Sequence, residues 1–142
     1  MDLSWIHETS PRWDARKAAI VGEAPAGVFD SRYRRLRDGE SVPGEWWRVE
    51  SGGQVIAFGW MDVCWGDAEI LLAVDPRARR GGVGRFVLDR LHEEARRRGL
   101  NYLTNIVRPT HPQRAEVTAW LEKQGFRDSD DGRLVCSVHR AG

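Results

Sequence analysis

The run Leu72-Ala73-Val74-Asp75-Pro76-Arg77-Ala78-Arg79-Arg80-Gly81-Gly82-Val83-Gly84-Arg85 decides the fold. Residues 69–74 form a short apolar stretch stopped by Asp75-Pro76, which predicts a central buried strand. From Val83 the period changes. Val83, Val87, Leu91 and Ala95 fall four apart with Phe86 beside them, so they share one face of a helix. Arg96-Arg97-Arg98 occupies its last turn, where positive charge suits the dipole, and Gly99 terminates it. A strand running through a glycine-bearing loop into a helix is an anion site in outline. The first helical turn has unpaired N–H groups and partial positive charge, and glycines let a phosphate approach the backbone. Arg79, Arg80 and Arg85 add charge at its rim.

Working outward, residues 46–50 and 54–63 are rich in aromatic and β-branched residues and flank Ser51-Gly52-Gly53, which predicts a hairpin. Trp65-Gly66-Asp67 marks the following turn. Upstream, Ser10-Pro11 supplies an N-cap and first-turn proline for a helix over 11–22. Asp30 caps a second, polar helix over 30–37 that Gly39 ends, and a first strand is placed at 3–7. Downstream, 101–107 predicts a strand. Pro112 opens a helix with Val117, Trp120 and Leu121 on one face and Gly125 at its end. Residues 126–128 and 134–138 then flank a polar turn, which predicts a terminal hairpin. The order is two helices, three antiparallel-type strands, a helix, a strand, a helix and a hairpin, which makes a mixed α/β domain.

The chain has 142 residues, the size of one domain spanning 1–142. With 22 basic and 21 acidic residues its net charge is +1, so nothing draws it generally to nucleic acid or to an anionic membrane. All the basic residues except Lys17 and Lys123 are arginine, the better phosphate-gripping side chain. Cys64 and Cys136 make neither a disulfide framework nor a metal site and are expected to be buried thiols. Residues 1–11 have no signal-peptide pattern and no apolar run is long enough to span a bilayer, so a cytoplasmic location is expected.

Two familiar glycine loops do not fit. A dinucleotide fingerprint follows the first strand of a βαβ unit and is answered by an acidic residue after the next strand, and a Walker A loop needs Gly-Lys-Ser/Thr. A glycine-rich turn with solvated arginines is the plain alternative. Arg79-x-x-Gly82-x-Gly84 after Val74-x-Pro76, however, resembles the acyl-CoA signature of the GNAT superfamily of N-acetyltransferases. The element order is similar to that family over nearly the whole chain, and Trp120-Leu121-Glu122-Lys123-Gln124-Gly125-Phe126 resembles its later helix. The resemblance implies a mixed, mostly antiparallel sheet flanked by helices, with two neighbouring parallel strands (69–74 and 101–107) splayed apart. Acetyl-CoA would sit in the V. Backbone groups of Ala73 and Val74 would pair with the pantetheine arm, and Arg79 with the amides of Arg80, Gly81, Gly82, Val83, Gly84 and Arg85 would hold the pyrophosphate. It also implies an N-acetyltransferase acting on a small-molecule or peptide amine by direct attack in a ternary complex. In two places the sequence departs from the family: Leu121 stands where a general-acid tyrosine is common, and Arg114 where an asparagine often contacts the cofactor.

Acylation needs a neutral amine, so a group must take its proton. Glu69 opens the strand leading to the loop and is the candidate base. Its plain alternative is a strand-end carboxylate in solvent. His111 reads as an acid or base, or as a helix-capping loop histidine. Of the two phenols, Tyr102 suits packing and Tyr33 is a substitute acid. Of Trp46, Trp47, Trp60 and Trp65, most belong to core or sheet surface, and some line an acceptor pocket with the first two helices. Arg32, Arg34, Arg35 and Arg37 form a solvated face, or favour an acidic acceptor if they flank the cleft. A non-catalytic acyl-CoA-binding domain of the same fold is the competing functional reading.

Overall fold

Alternation of aromatic and polar side chains on the central hairpin builds the sheet from its middle. The computed structural model describes residues 2–79, 81–129 and 131–139. Strand β1 is Ser4–His7, β2 Glu45–Ser51, β3 Gln54–Cys64, β4 Asp67–Val74, β5 Tyr102–Asn105, β6 Arg127–Asp128 and β7 Leu134–Ser137. They form one seven-stranded sheet in the order β1-β2-β3-β4-β5-β7-β6. Every pairing is antiparallel except β4 with β5, which is parallel. The helical elements are α1 (Ala15–Lys17, continuing as a π turn over Ala18–Gly22), α2 (Val83–Arg97) and α3 (Arg114–Lys123). Two 3₁₀ turns, Ser31–Arg34 and Pro76–Ala78, complete the set.

The sheet separates two cores. On one face Val83, Val87, Leu91 and Ala95 of α2 are fully buried against Ala68, Ile70, Leu103 and Cys136. Each such aliphatic side chain is worth about 1.5–3 kcal/mol when removed from water. The close seat of α2 depends on Gly59, where a Cβ would stand 2.9 Å from the Trp5 ring and 3.0 Å from Val87. On the other face Trp13, Ile20, Val21 and Tyr33 from the N-terminal segment cover Trp46, Phe58, Trp60 and Ala73. Lys17, 1% exposed, is buried there. Its ammonium ion-pairs with Glu8 at 2.7 Å and Asp14 at 3.2 Å and lies over the rings of Trp46 and Phe58.

Several sequence expectations are corrected. The helix expected over 11–22 starts late. Ser10 has a positive φ of 55°, and residues 11–13 run extended against 40–42, with Trp13 N–H donating to the Glu40 carbonyl and Val42 N–H to the Pro11 carbonyl. Asp14 is the cap instead, its side chain accepting from Lys17 N–H at 2.8 Å. The second helix shrinks to the 3₁₀ turn Ser31–Arg34, although Asp30 does cap it, accepting from Arg32 N–H. The strand expected over 101–107 pairs only as Tyr102–Asn105, and α3 begins at Arg114, two residues after Pro112. Cys136 is buried, but Cys64, at the end of β3, is exposed.

Candidate active site

The sheet opens along β4. Its pairing with β5 covers Asp67↔Tyr102, Ala68↔Leu103 and Glu69↔Thr104 and then stops, while its pairing with β3 continues to Val74. The strands therefore part after Glu69. Asn105 marks the apex: its Nδ2 donates to the Ile70 carbonyl at 2.7 Å, in place of a backbone bond. That contact fixes which groups of β4 face the gap. Ile70 points toward β5, and Asp75 N–H points the other way, donating to the Ile56 carbonyl at 2.8 Å. Strand alternation then turns the N–H and C=O of Leu72 and Val74 into the open side. Ala73 pairs with Phe58, so its backbone faces β3 and its side chain joins the aromatic core. Leu72, not Ala73, stands with Val74 on the free edge.

The gap ends at the phosphate-type loop. Gly82 is the N-cap of α2 with φ 75°, a left-handed conformation that a side chain would strain, and no side chain caps the helix. Among the described residues a Cβ at Gly82 would meet no atom within 4 Å, which leaves room over the helix end for an anion. The amides of Val83, Gly84 and Arg85 lie in the first turn, while the Val83 side chain is fully buried. Gly81 is exposed, as are Arg79 and Arg85, and Arg85 has only a long contact of 3.8 Å to Asp89. Arg80 lies outside the described residues. The loop is anchored from behind by Asp75, which ends β4. Its carboxylate accepts from Arg77 N–H at 3.0 Å and from Arg16 Nη2 at 2.9 Å. The hydrogen bonds from Arg77, backbone first, together with Arg16, hold its pKa down to about 2.

Glu69 sits at the apex, half-buried, on the face opposite α2. Its charge is felt by two arginines. Arg32 has a raised pKa, chiefly through the Tyr33 hydroxyl and to a smaller degree through the negative charges of Asp30 and Glu69. Arg133, held mainly by Asp131, also feels Asp67 and Glu69. His111 lies in the loop between β5 and α3. Its Nδ1 accepts from Gln113 N–H at 2.9 Å, and burial, with a smaller contribution from Arg79, lowers its pKa. The bond from Gln113 ties the ring to the backbone of the turn that leads into α3. Thr110 Oγ1 donates to the Gly27 carbonyl at 3.0 Å, which ties the N-terminal segment to the β5–α3 loop.

Over β2, β3 and the Leu71–Ala73 part of β4 is a small apolar pocket, open on one side, with about 20 Å³ of room for the centre of a water-sized group. Leu71 and Ala73 form one wall, Trp46 and Trp60 another, and Val21 and Phe29 a third. Tyr33, 3% exposed, also lines it. Leu121 is buried in the core on the α2 side and Trp120 packs near Gly84, so α3 offers no acid at the family's usual position. Asn105 and Leu72 escaped the sequence reading. An asparagine inside an otherwise β-prone stretch was the one available signal for the first. For the second, the direction of a backbone amide depends on register, which only pairing sets.

Among the described residues no three histidine, cysteine or acidic side chains group to hold a metal, and no helix is long and apolar enough to cross a membrane. A comparison with curated protein sequences gave no match. Among solved structures, the ribosomal-protein-S18-alanine N-acetyltransferase of Escherichia coli superposes with a TM-score of 0.69 at 22% identity, over 99% of this chain and 97% of that one. N-acetylglutamate synthase of Neisseria gonorrhoeae, complexed with coenzyme A and N-acetyl-glutamate, gives 0.70 at 19% identity, over 99% of this chain but 36% of that one. PaiA N-acetyltransferase of Thermoplasma acidophilum, in complex with coenzyme A, gives 0.54 at 18% identity, over 63% and 57%. At these identities the likeness shows the fold. Residues 43–128 match the acetyltransferase (GNAT) domain, and that span holds the splayed strands and the glycine loop. The chain belongs to the GNAT family of acetyltransferases, whose cofactor is acetyl-CoA.

Proposed function

We propose that this single domain catalyses transfer of an acetyl group from acetyl-CoA to an amine by direct attack, with Glu69 as the base. The observation that carries the reading is the free edge of β4 running from Glu69 to an uncapped helix N-terminus at Gly82. The residues present fit the cofactor. Leu72 and Val74 would pair with the pantetheine arm as an added strand. The amides of Gly82, Val83, Gly84 and Arg85, with those of Arg80 and Gly81, would hold the pyrophosphate, and Arg79 and Arg85 would supply the charge. When bound, acetyl-CoA supplies the acyl carbon to which the amine nitrogen bonds as the carbon–sulfur bond breaks and its electron pair leaves on sulfur. Glu69 takes the amine proton, directly or through a water. Arg32 and Arg133 both feel the Glu69 charge, and their own positive charges favour an acceptor bearing a negative group. The fold contributes mainly by holding both partners in place, a large effect by itself. A thiolate leaves readily, so transfer does not require a tyrosine at the position of Leu121.

Gly82→Val should abolish coenzyme A binding by calorimetry, while the backbone strain at its positive φ lowers the melting transition by a few degrees without removing the cooperative transition. Unchanged affinity would remove the loop from the site. Burial of Leu121 favours one second reading, an acyl-CoA-binding domain without turnover. Release of free thiol from acetyl-CoA with a panel of amines separates the two, since a binding domain would hold the thioester without consuming it.

A further inference from the structure

We propose that the apolar pocket beside β4 receives the acyl chain, so that the protein binds acyl-CoA thioesters a few methylenes longer than acetyl in preference to acetyl-CoA. This deepens the proposed function and rests on it.

The chemistry of the pocket excludes a polar occupant. The two indole N–H groups on its walls are already used: Trp46 Nε1 and Trp60 Nε1 each donate to the Pro43 carbonyl at 3.0 Å. The Tyr33 hydroxyl is turned to Arg32, which donates to it at 3.5 Å. The remaining walls are Val21, Phe29, Phe58, Leu71 and Ala73, all hydrocarbon. A group placed here finds no hydrogen-bond partner and must be hydrocarbon itself, because an unpaired polar group would be penalised.

Position then selects the acyl chain over the acceptor. The pocket borders Leu71 to Ala73, immediately past the last paired residue, Glu69, and Leu72 reaches it at the strand's free edge. That edge is where the thioester arm would lie. The amine, by contrast, must reach Glu69, a half-buried carboxylate whose charge is felt by Arg32 and Arg133. Of the groups that meet at this site, the acyl tail is the wholly apolar one. The walls are also held in place. The Lys17 ammonium lies 5.4 Å from the Trp46 ring centroid and 5.1 Å from that of Phe58, and it is pinned by Glu8 and Asp14. Val21 is presented by the π turn Ala18–Gly22, a distortion that recurs at functional sites.

The test is calorimetric titration of the full chain with coenzyme A, acetyl-CoA and butyryl-CoA, without acceptor. Two further methylenes in an apolar pocket should tighten butyryl-CoA over acetyl-CoA by roughly tenfold. Val21→Phe, which fills the pocket, should erase that difference and leave the affinity for coenzyme A unchanged. Phe29→Ala, which removes a half-buried wall, should shrink the difference and serves if the overpacked variant fails to fold. Equal affinities for acetyl-CoA and butyryl-CoA in a wild-type protein that binds coenzyme A would overturn the acyl-chain assignment and leave the cofactor site standing. Failure to bind coenzyme A at all would overturn both. A tenfold preference that persists in both variants would place the chain elsewhere.

Discussion

The segment from Leu72 to Arg97 and the segment from Trp13 to Arg37 carry similar local signals, yet fold differently. Each has a proline near a turn, a capping residue, helix-compatible stretches and terminal glycines. The first gives a straight strand, a tight loop and a fifteen-residue helix, close to the sequence expectation. The second gives one turn of α-helix, a π turn and a four-residue 3₁₀ turn. In α2 the apolar residues repeat on one face and the caps agree with that face, so local and tertiary preferences coincide. In the N-terminal segment the large side chains Trp13, Ile20, Val21 and Tyr33 do not share a helical stripe. They reach one core only if the chain bends around them. The contrast has a functional side. The family match covers 43–128, including the cofactor loop, whereas Val21, Phe29 and Tyr33 of the pocket lie before it.

The largest effect is expected at Glu69, the last residue of β4 paired with β5. Glu69→Gln keeps the shape and a hydrogen-bonding oxygen but removes the base. Turnover with an accepted amine should fall about a hundred- to ten-thousandfold, while acetyl-CoA affinity measured by calorimetry stays nearly constant. A near-normal rate, with a pH profile that follows the pKa of the amine used, would show that the acceptor arrives neutral and that Glu69 only ends a paired strand.

Lys17 tests whether tertiary contacts hold the N-terminal segment. Lys17→Ala leaves Glu8 and Asp14 without their buried cation and removes the ammonium from two aromatic faces. Loss of one partner from a buried pair costs about 3–5 kcal/mol, and thermal unfolding should shift down by roughly 10 °C. Coenzyme A affinity per folded molecule should change little. A wild-type melting curve would mean that the segment is held by its apolar side chains alone.

A smaller effect is expected at Asp75, which links the regions through Arg16. Its pKa is about 2 in the folded chain against an ordinary 3.8, so the carboxylate's contribution to stability is complete above about pH 4 and is lost as pH falls toward 2. Asp75→Asn should flatten that part of the acid limb in denaturant titrations at stepped pH. An acid limb identical to wild type would show that the pairing with Arg77 and Arg16 carries no stability.

The smallest effects belong to the phenols. Tyr33 is 3% exposed and Tyr102 is 45% exposed, and neither lies on α3. Tyr33→Phe and Tyr102→Phe should change kcat by no more than a fewfold. A hundredfold loss at either, the scale of a general acid, would mark a relocated proton donor.

How much was legible follows from the range of each signal. Hydrophobic periodicity and caps act within a few residues, so the sequence by itself determined α2, the hairpin of β2 and β3, the terminal hairpin and the glycine loop. Repeats of four and of two are written along the chain. Glu69 reads in the sequence as the residue that opens the strand before that loop, whereas β4 begins two residues earlier, at Asp67. Only the tertiary structure decided that β4 and β5 part after Glu69, that Asn105 closes the Ile70 carbonyl, and that Leu72 rather than Ala73 faces the gap. It alone decided that Val21, Phe29 and Tyr33 meet Trp46, Trp60 and Leu71 around one pocket. Those outcomes depend on strand register and on side chains more than twenty residues apart finding one volume. A single-residue slip reverses register, and shared packing has no period for a sequence to display.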